Sequence, residues 1–204
     1  MICIVDYGVG NLFSLKSSFL KIGYEVKVTS DREEIEAAKR IILPGVGAFA
    51  DAQKKLFSSG LGGVIAKEAE KGTPILGICL GMQLLFERSH EYGLHRGLGL
   101  IPGEICPISD VISPDLKIPH MGWNALCFGS EKHPLFKYLT EGDHVYFVHS
   151  YFAKTDEKNI IAKAEYSYPL TAAVANNNVM GCQFHPEKSG EAGLKILKAF
   201  CEGI

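Results

Sequence analysis

Four times in the first half of the chain, an apolar run of strand length is followed by a segment with helical spacing. The runs are "MICIVDY", "YEVKVTS", "RIILPG" and "PILGIC". After the first, closed by the glycines of "GVG", Leu12, Leu15, Phe19 and Ile22 recur on one helical face behind a capping Asn11. Asp31 caps a short acidic helix, "REEIEAAK", and helical segments fill residues 48–71. Parallel strands need long crossovers, and a helix is the usual one. The order βαβαβαβα therefore predicts a parallel sheet covered by helices on both faces.

After residue 94 the pattern changes. "GLGLIPGEICPI", "KIPHMGWNALCF", "HVYFVHSYF", "NIIAKAEY" and "LTAAVANNNVMGCQF" read as strands, with a turn at residues 176–178. A last helix starts after Ser189 and carries Leu194, Leu197 and Phe200. No internal repeat, low-complexity stretch or long linker interrupts the 204 residues. One α/β domain over 1–204 is expected, a largely parallel mixed sheet first and antiparallel strands in the second half.

Composition narrows the function classes. The formal net charge is −2 without a basic stripe, which argues against a nucleic-acid partner. No run of about 18 apolar residues suggests a membrane span, and the N-terminus lacks a basic region and carries Asp6, unlike a signal peptide. Six scattered cysteines with no Cys-x-x-Cys pair suggest neither a metal site nor a disulfide framework. Buried free thiols in a reducing cytoplasm are the simplest expectation.

One of those cysteines stands apart. In "PILGICLGMQ", Cys79 lies between Gly77 and Gly81, where the fourth apolar run stops and "LGMQLLFER" begins, with helical spacing at Leu80, Leu84 and at Met82, Leu85. Gly-x-Cys-x-Gly at a strand-to-helix turn is the thiol version of a nucleophile elbow. Its glycines remove Cβ atoms that would collide, and its helix N-terminus favours a thiolate. The N–H of Leu80 is aimed at the same place and can donate to an oxyanion. The pentapeptide alone fits a buried, inert thiol equally well.

A thiol nucleophile needs a base. Among seven histidines, His185 opens "HPE" directly after the apolar "GCQF". Pro186 holds His185 extended, and alternation along an extended segment sets Glu187 beside the imidazole. A carboxylate there fixes the tautomer, as in a triad; a lone His-Pro-Glu would otherwise be a surface loop. A third element, "LPGVGAF", follows another strand. Strands of a parallel sheet build sites at their carboxyl ends, so the N–H of Val46 or Gly47 could reach the carbonyl under attack; an ordinary Pro-Gly turn is the alternative.

With "PGVG", "GICLGMQ" and "HPEKSG" in this order, the whole chain resembles the class I glutamine amidotransferases, which carry a flavodoxin-like fold. "DYGVGNLFSLKSSF", "PHMGWN" and "YFVHSYF" make it similar, within that class, to the glutaminase subunits of imidazole glycerol phosphate synthase in histidine biosynthesis. The resemblance implies Cys79 as nucleophile, His185 as proton shuttle, Glu187 as orienter, and Val46 and Leu80 as oxyanion donors. It implies substrate contacts from Gly47, Gln83, Ser150 and Tyr151 to L-glutamine, and no cofactor. It also implies a heterodimer with a (β/α)8-barrel cyclase subunit that receives the ammonia. Interface candidates are Asn11, in a loop that faces the synthase subunit in that family, the sole tryptophan Trp123 in a Gly-Trp-Asn turn, and Lys188. A tryptophan is as often a core residue as an interface anchor. Rival readings are the glutaminase of pyridoxal 5'-phosphate synthase, another elbow-cysteine hydrolase, or a non-catalytic flavodoxin-like module.

Overall fold

The alternation of the first half becomes β1 (Ile2–Val5), α1 (Leu12–Lys21), β2 (Val26–Thr29), α2 (Arg32–Glu36), β3 (Arg40–Leu43), α3 (Phe49–Ser58), α4 (Leu61–Glu70), β4 (Ile75–Ile78) and α5 (Leu80–Leu84) in the computed structural model, which describes residues 1–129 and 131–203. Strand alternation decides which helix goes where. Ile2 and Ile4 of β1 face one core with Leu15 and Phe19 of α1. Cys3 and Val5 face the other, with Ile35, Phe49, Leu56 and Ile65 from α2, α3 and α4. A ten-residue helix such as α1 is marginal alone. Burying Phe19 and Leu15 adds about 1.5–3 kcal/mol each, which fixes it. Asn11 helps as its cap, accepting from the Ser14 N–H at 3.3 Å, as does Asp31 for α2.

The second half contains β5 (Phe86–Ser89), β6 (His95–Arg96), β7 (Ile101–Pro107), β8 (His120–Ala125), β9 (Cys127–Phe128), β10 (His144–His149), β11 (Tyr151–Lys154), β12 (Ile160–Glu165), β13 (Pro169–Asn176), β14 (Val179–Cys182) and α6 (Gly190–Glu202). The central sheet has eight strands in the order β2-β1-β3-β4-β14-β13-β12-β9. Its first five run parallel and the rest antiparallel. Helix α6 returns to the α1 face through Ile196, Leu197 and Phe200. No helix among the described residues is long and apolar enough to cross a membrane. Because β14 is parallel to β4, with Cys182 opposite Ile78, the residues that follow both strands emerge at the same sheet edge.

Three expectations about the extent of elements need correction; one is "KIPHMGWNALCF", which divides at Leu126 into β8, paired with β10, and β9, paired with β12. The helical spacing of "LGMQLLFER" runs past the helix itself, which ends at Leu84. The returning segment claims the next carbonyls: Leu98 N–H donates to Leu84, Leu100 N–H to Leu85 and Gly99 N–H to Phe86, at 2.8–3.0 Å. Phe86–Ser89 is thereby drawn into a separate four-stranded sheet, β11-β7-β5-β6. "HVYFVHSYF" is two strands, not one: β10 pairs with β8, and β11 pairs with β7. Ser150 is the corner between them, its carbonyl accepting from Ile108 at 3.0 Å.

A buried histidine pair ties the β8–β10 ribbon to that corner. His120 and His149 face each other in register. His149 Nδ1 meets the Tyr151 carbonyl at 2.8 Å, so it must carry a proton and leave Nε2 to accept from His120 Nδ1 at 2.9 Å. Burial pushes His120 down to about 4 and His149 down to about 3, so both rings stay neutral at physiological pH.

The β4–α5 turn is packed tightly against the end of β3. A Cβ on Gly81 would run into the Leu43 carbonyl, and one on Gly77 would approach Met82 Cα at 2.7 Å. Gly77 thus clears the turn itself, whereas Gly81 lets α5 sit against the end of β3. Gly81→Ala is expected to cost about 3 kcal/mol or more in urea unfolding, the scale of a rigid overpacking. Gly63→Ala, at an exposed position of α4 with open space around it, should instead gain up to about 1 kcal/mol. Equal effects from the two would contradict the packing account.

Candidate active site

Cys79 joins β4 to α5 with φ 54° and ψ −113°, a conformation a non-glycine residue adopts only when its surroundings impose it. Its N–H is tied to the Cys182 carbonyl at 2.8 Å, and the packing at Gly77 and Gly81 closes the other sides. The turn leaves Cys79 8% exposed.

His185 follows β14 at the same sheet edge. Its backbone is extended, at φ −100° and ψ 98°, as Pro186 requires. The chain then turns in a single 3-10 turn, Pro186–Lys188. His185 Nδ1 and Glu187 Oε1 lie 2.8 Å apart with both side chains buried. Their contact therefore arises from this turn, not from alternation along an extended segment as the sequence suggested. A carboxylate can only accept, so Nδ1 carries the proton and Nε2 is left for the thiol side. Ser189 locks the turn: its Oγ donates to the His185 carbonyl at 2.6 Å and accepts from the Tyr146 N–H at 2.9 Å.

Burial opposes a charged His185. The adjacent Cys79 thiol and Glu187 carboxylate outweigh it and raise the imidazole to about 9. The base thus sits in a setting that favours an imidazolium. His149, its neutral neighbour, adds no second positive charge.

Cys79 and His185 open into a cavity of about 430 Å³, a volume suited to a small metabolite. Val46, Gly47, Leu80, Gln83, Ser150, Tyr151 and Lys188 also line it. Glu187 stands behind His185. Val46 is 42% exposed, and Gly47 has φ 92° with open space around it. Gln83 points its Nε2 at the Gln183 side chain and the Tyr151 carbonyl. Asn11 and Trp123 lie outside the cavity. Trp123 belongs to strand β8 rather than a turn, because "HMGWNA" pairs along its whole length with β10. It is 55% exposed, which excludes the core, and it stands edge-on to Tyr146 at 6.1 Å. Lys188 Nζ lies 5.8 Å from the same ring centre.

Sequence reasoning missed several lining residues: Glu91, Pro119, Val148 and His149. Glu91 sits beyond the misread helix, where no periodicity marks it; its Oε2 accepts from the Phe49 N–H at 2.6 Å. His149 reads as one more position in an alternating strand. Among the described residues, one group has metal-ligand spacing, His90, Glu104 and Cys106. None of the three lines the cavity, and Arg88 Nε and His90 Nε2 already share one oxygen of Glu104 at 3.0 and 2.9 Å.

A thiol on a strained turn, with an imidazole paired to a buried carboxylate at the same sheet edge, suits acyl transfer through a thioester. The family model for glutamine amidotransferase class-I matches residues 3–203. The chain is 50% identical, over 100% of its own length and 98% of the relative's, to imidazole glycerol phosphate synthase subunit HisH of Lactococcus lactis. It is 50% identical, over 98% of each, to the protein of that name from Methanosarcina acetivorans. Among solved structures, a glutamine amidotransferase superposes with a TM-score of 0.76 at 19% identity, covering 99% and 98% of the two chains. PurLQS from Thermotoga maritima gives 0.75 at 22%, covering 98% and 97%; both likenesses speak to the fold. The chain belongs to the class I glutamine amidotransferases and, within them, to the HisH subunits of imidazole glycerol phosphate synthase.

Proposed function

We propose that this chain hydrolyses L-glutamine to glutamate and ammonia and hands the ammonia to a cyclase subunit, for imidazole glycerol phosphate formation in histidine biosynthesis. The observation that carries the reading is Cys79 on a strained turn at the sheet edge where the His185–Glu187 pair emerges. The Cys79 thiolate attacks the side-chain carboxamide carbon. Negative charge moves to the carbonyl oxygen, where the N–H groups of Leu80 and Val46 are the proposed donors. His185 gives its proton to the leaving nitrogen, and the C–N bond breaks to release ammonia and leave a γ-glutamyl thioester. His185 then takes a proton from water, whose oxygen attacks the thioester carbon; the C–S bond breaks, releasing glutamate, whose carboxyl proton passes to ammonia or solvent, and restoring the thiolate beside the imidazolium. Glu187 holds the imidazole in the required tautomer throughout.

A glutamine zwitterion brings an ammonium and a carboxylate that also need partners. Glu91 is the acidic group lining the cavity and suits the ammonium. Gly47, Gln83, Ser150 and Tyr151 are the proposed contacts for the rest. The open surroundings of Gly47 support a loop that can re-aim its peptide groups, and completion of the oxyanion hole on partner binding would make glutamine turnover depend on the complex.

The partner is proposed to be a (β/α)8-barrel cyclase subunit in a heterodimer, in the cytoplasm. Trp123, Tyr146 and Lys188 form a continuous cluster beside the cavity mouth. With Asn11 they are the proposed docking residues, Trp123 being the anchor. Elbow-cysteine hydrolases and a non-catalytic module account for neither the His185–Glu187 pair nor the whole-length relatives. The pyridoxal 5'-phosphate synthase reading is not favoured by those relatives' names.

Mixed with its cyclase subunit and synthase ligand, the chain should release glutamate from glutamine, and a γ-electrophilic glutamine analogue should modify Cys79 and stop it. His185→Asn should lower kcat by about a hundredfold or more. Undiminished turnover by Cys79→Ala would refute the reading. Trp123→Ala should weaken the complex by about 2 kcal/mol in titration calorimetry while leaving the thermal midpoint nearly unchanged; unaltered affinity would remove Trp123 from the interface.

A further inference from the structure

Beneath the thiol lies a polar side chain that the mechanism above does not use. Gln183 is 0% exposed, two residues before His185, and its carboxamide nitrogen lies 3.8 Å from Cys79 Sγ. We propose that Gln183 is a catalytic residue: its carboxamide N–H donates to the sulfur and holds the thiolate form of Cys79, with Gln83 fixing which end of the amide faces it. The proposal rests on Cys79 being the nucleophile and deepens that reading.

The orientation of the amide follows from a chain of partners. The Tyr151 carbonyl can only accept. It already receives His149 Nδ1–H at 2.8 Å, and Gln83 Nε2 approaches it at 3.4 Å. Gln83 must therefore present nitrogen, not oxygen, on that side. The same nitrogen donates to Gln183 Oε1 at 3.0 Å. With its oxygen so engaged, Gln183 can offer only Nε2 to the sulfur. Its backbone is fixed too, the Gln183 N–H donating to the Ala172 carbonyl at 2.8 Å. The donor cannot swing away without breaking the Gln83 contact.

A donor at this distance does little for a neutral thiol, which is a weak acceptor. A thiolate draws it in. The interaction therefore favours the charged form over the neutral one, the condition for lowering a thiol's pKa. It also complements His185, which approaches the sulfur as the proton carrier. The titratable groups around the sulfur are His185, Tyr7 and Cys182, with Glu187 behind His185; none is altered by changing Gln183. Sequence reasoning offered no hint, since Gln183 read as one position in the apolar "GCQF" run.

The test is the pH dependence of Cys79 alkylation by iodoacetamide, followed by mass spectrometry of the Cys79 peptide. Gln183→Met removes the donor at similar volume, and Gln183→Glu replaces it with an acceptor of the same shape. Both should move the alkylation profile of Cys79 to higher pH than in the parent. Glutaminase kcat in the complex should fall about tenfold or more, with KM within a few-fold of the parent. A folded Gln183→Met chain whose Cys79 titrates as in the parent overturns the proposal. If neither Gln183 variant folds, Gln83→Leu provides the same test by releasing the amide's orientation, and an unmoved Cys79 pKa there overturns it equally. Glutamine turnover by Cys79→Ala would instead sink the nucleophile assignment and leaves a different signature.

Discussion

The approach of α5 to the end of β3 governs the rest of this molecule. Gly81 lies so close to the Leu43 carbonyl that no side chain fits between them. That contact, with the Cys79 N–H bound to the Cys182 carbonyl, holds Cys79 at φ 54°. Strain of this kind costs about 1–3 kcal/mol and survives only where flanking structure outweighs it. Here the flanks are the fully buried Leu43, Leu76 and Ile75 beside β14. The turn is rigid because the parallel sheet beneath it is rigid.

From this seat the other groups follow by topology. Strand β14 is next to β4 and runs the same way, so the residues after it arrive beside the elbow. One of them is Gln183, under the sulfur. Another is His185, whose carboxylate partner is brought round by a 3-10 turn that Ser189 pins to β10. The far wall is built by a second system, the β8–β10 ribbon and β11. There the neutral pair His120–His149 holds the Tyr151 carbonyl where Gln83 meets it. Charge is concentrated on one imidazole, His185, and the neighbouring rings are kept neutral by burial.

The parallel half was legible because each strand and helix carries its own period and punctuation: Asn11 and Asp31 act as the caps they resemble. The elbow was legible because its glycines are a steric requirement with a fixed spacing. What escaped the sequence depends on contacts distant in the chain. The end of α5 at Leu84 is decided by N–H groups of residues 98–101 that claim the next carbonyls. That decision creates β5 and leads to Glu91. The break at Ser150 is decided by which sheet offers each half of "HVYFVHSYF" an edge. The pairing of His185 with Glu187 was expected, yet through the wrong local geometry. Gln83 was read as a pocket residue and lines the pocket, while its amide nitrogen is turned towards Gln183.

The central claim is that the fold itself poises the site, holding His185 as the charged partner of Cys79. Nitrogen-15 NMR of the two His185 ring nitrogens across pH 5–10 measures this directly. The account predicts an imidazolium at pH 7.5 that loses its proton only near pH 9, because Cys79 and Glu187 outweigh burial. It also predicts a downward shift of that titration in Cys79→Ala. A His185 already neutral at pH 7.5, titrating near the ordinary 6.5 of a free imidazole, would contradict it.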